Sequence, residues 1–298
     1  MEAYVDAFLA RLETKPAYSK STRLAYASDL RGYIHYLQNT LNRPPTVIDF
    51  SSWQVANYLE AEINAGRRYS TLIRRVATLR QFVRHLIQQD VLSEDILAKD
   101  VHLINRVIAQ VPQNSSPKLL SESQISRLER TFESSKRHRA RRDQAILILL
   151  LETGLSVGDL VDLDLSDLDL RAGRLHIIRT PCNDKWLPLG KATKIVDRYL
   201  REGRPELNPQ PNEPALFVSQ LGGRMSRQGI WQILNHWGKL MDPPIKLSPR
   251  KVRHTAALRM AHAGRSLEEI QTLLGHSNPL STQALLRRLD KNISYPDL

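Results

Sequence analysis

Residues 247–286, LSPRKVRHTAALRMAHAGRSLEEIQTLLGHSNPLSTQALL, leave the backbone little choice. Ser248-Pro249 is a helix start: the hydroxyl caps free N–H groups, and proline at the first helical position gives up a donor that would be unpaired there anyway. Gly264 ends that helix. Ser266 caps the next, Glu269 three residues on completes a capping box, and Gly275 stops it just before His276. In the first helix Val252, Ala256 and Met260 recur at spacings of four, with Ala257 and Ala261 beside them, so one face packs inward. Arg250, Arg253, His254 and Ala257 share a second face.

The remaining chain has the same helical habit. Its 298 residues suffice for two cores, since single cores become uncommon beyond about 250 residues. The amino-terminal part reads as helices over residues 2–12 (Tyr4, Phe8 and Leu12 inward), 23–38, from Ser51 or Ser52 to Ile63, and 70–89, where Leu72, Val76, Leu79, Val83 and Leu86 form the buried side. Arg67, Arg68, Arg74, Arg75, Arg80 and Arg84 surround that last helix: a solvated face, or a set of contacts to an anionic backbone. Residues 105–117 are polar and bounded by proline, the composition of a linker.

Beyond it, Ser121 with Gln124 opens another helix, and Lys136 to Arg142 is the densest basic run, with Arg137 and Arg139 as candidate backbone contacts. Residues 144–152 are apolar nearly all round and therefore central. Residues 167–187 alternate around a turn at Ala172-Gly173, which predicts about three antiparallel strands. Helices resume near Ala192 and again over 226–240, where Trp231 and Trp237 are expected in the core and His236, like His262, is expected to be a surface or satisfied residue. The fold class is mainly α with a small antiparallel sheet, in two domains: residues 1–104, a linker at 105–117, and 118–298.

Composition narrows the function. The single cysteine, Cys182, excludes a disulfide framework or cysteine zinc site, and no HExxH, P-loop or GxGxxG phrase is present, so no metal and no cofactor is expected. No signal-peptide pattern and no long apolar run occur, which predicts a cytoplasmic protein without a membrane partner. A net charge of +12 is the footprint of a nucleic-acid binder.

Arg253-His254-Thr255, then Leu273-Leu274-Gly275-His276-Ser277 and Ser281-Thr282-Gln283 resemble the tyrosine recombinases, the phage integrase and Xer-like family. Thr153-Gly154-Leu155, residues 159–163, Phe217-Val218-Ser219 and residues 222–226 fall in the family's order. The resemblance implies a helical core-binding domain ahead of a tyrosine-recombinase catalytic-type domain. It also implies strand cutting by tyrosine attack on phosphorus, with cations on the non-bridging oxygens and an acid for the leaving 5′-oxygen.

Transferred position by position, it fits Arg253 as a clamping arginine, His276 as the later histidine, and Arg250 as a cation where the family carries histidine or lysine. Three positions depart. Ser156 stands where the first clamping arginine belongs. The general-acid lysine falls near Arg179-Thr180, with Lys185 a neighbouring substitute. Leu285, nine residues after His276, occupies the nucleophile's place, and between Tyr199 and Tyr295 there is no tyrosine. From these departures the expectation is a double-stranded-DNA-binding, nucleoid-associated protein that does not cleave, hence not an enzyme, working with itself or an active relative. The alternatives are an active recombinase or integrase using Tyr295 or a partner's tyrosine, and a protein-interaction scaffold. Expected DNA contacts are Arg67, Arg68, Arg74, Arg75, Arg84, Arg137, Arg139, Lys185, Arg224 and Arg227.

Overall fold

The computed structural model describes residues 1–14, 18, 20–112, 119–135, 139–178, 184–276 and 278–290. It forms two compact units, Met1–Ser115 and Ser116–Leu298. Among the described residues no helix is long and apolar enough to cross a membrane.

The first unit comprises α1 (Glu2–Glu13), α2 (Lys20–Leu41), a 3-10 turn (Val47–Asp49), α3 (Ser52–Asn64), α4 (Tyr69–Gln88), α5 (Ile96–Lys99) and α6 (Val101–Ala109). On α4 the five expected apolar residues are all buried. On α1 the buried stripe is Val5, Phe8 and Leu12, one step round from the expected one, and Tyr4 faces outward. A run of aromatic contacts holds the core: Phe8 meets Phe82 at 5.7 Å, Phe50 meets Tyr33 at 5.2 Å, and Tyr33 meets Tyr58 at 5.2 Å, all edge-on, the arrangement that suits ring quadrupoles. Residues 105–109 are not linker but the end of α6. Ile104, Val107 and Ile108 lie at helical spacing and are buried, so packing overrides the polar residues between them. Residues 113–117 of the expected linker lie outside the described residues.

The second unit comprises α7 (Glu122–Glu133), α8 (Ala140–Thr153), α9 (Val157–Asp162), β1 (Leu168–Asp169), β2 (Arg174–Ile178), β3 (Asp184–Pro188), α10 (Ala192–Arg198), α11 (Arg227–Lys239), α12 (Pro249–His262), α13 (Leu267–Leu274) and α14 (Pro279–Leu289). Helix α8 is the centre: residues 145–151 are all buried, and α7, α10, α11 and α12 pack on it. The sheet is antiparallel in the order β1-β2-β3, with Leu168 opposite Leu175 and Leu175 opposite Leu187, three leucines turned to the helices. Trp237 is buried and donates its Nε1–H to Asp143 at 2.8 Å; Trp231, expected in the core, is instead half exposed on the outer face of α11. Of the basic run, Arg142 is buried, paired with Asp143 at 2.8 Å and donating to the Val218 carbonyl at 3.1 Å, while Arg141 pairs with Glu202 and Glu206.

Candidate functional site

Helix α12 starts where Ser248 Oγ accepts the Lys251 N–H at 3.3 Å, and this fixes where Arg250, Arg253 and His254 emerge. Arg253 donates to the Gly154 carbonyl at 2.8 Å and to the Leu274 carbonyl. These oxygens lie at the C-terminal ends of α8 and α13, where helix dipoles place negative charge, so the guanidinium joins two helix ends that attract it. Gly154 makes the approach possible. Its φ is +64°, and a β-carbon there would stand 3.1 Å from Leu274.

Two residues on, Ser156 has a local task. Its hydroxyl accepts the Asp159 N–H at 3.1 Å and its own N–H donates to Asp159 at 3.2 Å, a complete capping box for the short helix α9. From α13 the chain passes through Gly275, also left-handed at φ +65°, into His276. The backbone N–H of His276 donates to Gln271 at 3.1 Å and its ring Nδ1 pairs with Thr282 Oγ1 at 2.9 Å. Thr282 lies one helical turn before Leu285 on α14, and Leu285 is buried in the core at 9 % exposure. These contacts tie Arg253 to the turn two residues before Ser156 and to the end of α13, and His276 to the helix that carries Leu285.

His254 is buried on α12. Burial first, then Arg250, Arg288, Arg253 and His276, lower its pKa to about 4, so the ring is neutral near pH 7 and its buried Nδ1 has no hydrogen-bond partner among the described residues. The charges of three guanidiniums thus act on one uncharged imidazole. Arg288 was not among the expected site residues. It sits three residues after Leu285, and its significance depends on the packing of α14 against α12, which no local motif announces.

The other expected contacts divide. Lys185 extends from β3 toward α13, its Nζ 3.4 Å from Thr272 Oγ1, which brings a lysine to the helix that leads into His276. Arg179, Thr180 and Arg137 lie outside the described residues. Arg68 and Arg84 are exposed, as are Arg139 and Arg227. Arg67 is paired with Glu62 at 2.9 Å.

Arg74, Arg75 and Arg224, expected on DNA, each hold partners within the fold, and of the three only Arg75 is largely covered. Arg74 and Thr78 hold the buried carboxylate of Asp29, whose pKa is raised by burial against the pull of Arg74. Arg75 lies over the Tyr58 ring and donates to its hydroxyl at 2.6 Å. Arg224 donates to the Val161 carbonyl at 2.8 Å and pairs with Asp164. Their physical reason is the same: a carboxylate or carbonyl distant in sequence reaches the guanidinium first. Among the described residues no His, Cys, Asp and Glu side chains converge in a group that could hold a metal ion.

Tyr199, the tyrosine of the second unit that the structure describes, is fully buried and stacked on Phe217 at 5.3 Å. Its hydroxyl accepts the Val218 N–H at 3.4 Å, and burial pushes its pKa to about 12. It cannot reach a DNA phosphate. Tyr295 lies outside the described residues.

The helical unit ahead of a mixed unit with a small sheet, and the cluster on α12 to α14, define an integrase-type architecture. The chain belongs to the phage integrase family, which it matches over residues 118–291, with the phage integrase N-terminal SAM-like domain over residues 5–90. It is 30% identical over 283 residues to a tyrosine recombinase XerD of Pseudomonas putida, covering 94% of this chain and 90% of that one. A XerD of Listeria innocua is 29% identical over 287 residues, covering 95% and 93%. The fold is similar to that of a lambda integrase dimer bound to a COC′ core site, with a TM-score of 0.71 at 17% identity over 100% of this chain and 99% of the other.

These relatives correct the expectation that the chain is not an enzyme. They carry the name of recombinases and align along nearly the whole of both chains, so the departures at Ser156, Thr180 and Leu285 sit inside a chain that matches both domains of the family. The leucine at 285 therefore does not by itself remove the activity, and the alternative given above, a tyrosine at 295 or on a partner, gains weight from these relatives.

Proposed function

We propose that this protein binds double-stranded DNA and breaks and rejoins its strands as a tyrosine recombinase, with the attacking oxygen coming from Tyr295 or from a tyrosine of a second subunit. The observation that carries this reading is the alignment of nearly the whole chain with XerD recombinases, together with the positive field of Arg250, Arg253 and Arg288 around His254 on α12. The tyrosine oxygen would bond to a backbone phosphorus while the bond to the 5′-oxygen breaks and a proton passes to that oxygen. The phosphotyrosine link keeps the phosphoester's energy, so attack by a second 5′-hydroxyl rejoins DNA without a cofactor. The cations would hold the non-bridging oxygens as charge builds on them.

The solved relative bound to its core site as a dimer supports duplex DNA and a second copy, or an active relative, as partners. Action on DNA in turn supports a nucleoid location. The test is a nicked suicide duplex, in which the strand end is lost after cleavage and any covalent intermediate is trapped. The expected result is a protein–DNA adduct, formed by this chain alone or when mixed with an active XerD. Demonstrated duplex binding with no adduct in either arm would overturn the proposal.

A further inference from the structure

We propose that Arg227 is the phosphate-holding cation that takes over from the arginine missing at Ser156; the assignment deepens the DNA reading above and rests on it. Gly158 is the second residue of α9, and a β-carbon built on it would stand 2.8 Å from Nη2, 3.2 Å from Cζ and 3.4 Å from Nε of Arg227. The guanidinium therefore lies against the backbone of the first turn of α9, in a place that a side chain at 158 would make it leave. Two residues away is Ser156. At the other end of the same short segment the Gly154 carbonyl receives Arg253 at 2.8 Å. Four residues separate the two anchor points, at most about 15 Å of chain and less across a turn. Along the chain, Ser156 thus lies between the residues that the two guanidiniums touch.

Nothing in the fold accounts for the charge of Arg227. It is the first residue of α11, where Ser226 Oγ already accepts the Gly229 N–H at 3.0 Å, and a cation at that end opposes the helix dipole. It is exposed, and among the described residues no carboxylate pairs with it. Its neighbour Arg224 is tied to Asp164 and two carbonyls, while Asp159, the acid next to Gly158, receives the Ser156 N–H. Such a planar fork of donors suits the two non-bridging oxygens of a phosphate whose other side rests on Arg253.

The test uses the full chain and a duplex recovered with it by selection from a random pool, then rebuilt with a neutral methylphosphonate at each backbone position in turn. In the unaltered protein, neutralising one phosphate is expected to weaken binding roughly ten- to a hundredfold, the worth of a charge-assisted hydrogen bond. Arg227→Ala should abolish that sensitivity, and adding Ser156→Arg to Arg227→Ala should restore it. Gly158→Ala, which displaces the guanidinium without removing it, should give a partial loss. A methylphosphonate profile left unchanged by Arg227→Ala overturns the assignment while duplex binding stands. Recovery of no duplex at all overturns both.

Discussion

His254 makes the electrostatics of the cluster measurable. Its folded-state pKa, about 4, lies below the ordinary 6.5, so between those values the unfolded chain binds a proton that the folded chain refuses. Stability contributed by the neutral ring is therefore complete above pH 6.5 and is lost as pH falls through this window. Replacing the residue with a non-titrating one of similar size, His254→Gln, should flatten the response. The urea midpoint of the unaltered protein is expected to drop more between pH 7 and pH 5 than that of the variant; equal drops would show that burial and the neighbouring cations together do not depress the ring. At this scale the placing of Arg250 and Arg253 in the first turns of α12, and of His276 just past α13, was legible from the helix caps. The pairing of Arg74 with Asp29 and of Arg224 with Asp164 was not, because those acids lie 45 and 60 residues away in the chain. Which of several arginines finds an acid is decided by packing, not by neighbours in sequence.

Among elements, the joint between α8 and α13 carries the most. Gly154 ends α8 in a left-handed conformation, touches Leu274, and presents the carbonyl that holds Arg253. Gly154→Ala is expected to cost about 1 kcal/mol through backbone strain alone, with more from the contact to Leu274, and to weaken duplex binding by displacing Arg253. Chemical unfolding and a binding titration on one preparation check both. An unchanged unfolding midpoint would mean that the turn accepts a side chain. Helix starts such as Ser121, Ser248 and Ser266 were readable because a cap is a local event, settled within three residues. The end of α6 was not, since Val107 and Ile108 are helical by virtue of the core they enter. The outward turn of Trp231 has the same origin: α11 buries Ile230, Leu234 and Trp237, and one stripe cannot hold both tryptophans.

Over the whole molecule, a net charge of +12 predicts duplex affinity that falls steeply with salt. A protein that neutralises about 6–10 phosphates weakens by about three to five decades between roughly 50 and 200 mM salt. Substituting exposed Arg68 and Arg84 together should shallow the logarithmic slope by roughly one unit for each phosphate no longer neutralised, and leave folding intact. Arg75→Ala should instead destabilise the first unit, because it takes the hydrogen-bond donor from the Tyr58 hydroxyl and one of two arginines from Glu62. If Arg75 alone changed the salt slope, the division between structural and DNA-facing arginines would be wrong.

The central claim concerns the source of the attacking oxygen, and it is tested most directly by mapping the residue joined to DNA. After trapping on a suicide duplex and digestion with protease, mass spectrometry of the nucleotide-linked peptide should place the phosphoester on Tyr295, or on a tyrosine of the added recombinase partner, and Tyr295→Phe should abolish the first product while sparing the second. A duplex that is bound but never joined to a tyrosine of either chain would contradict the account.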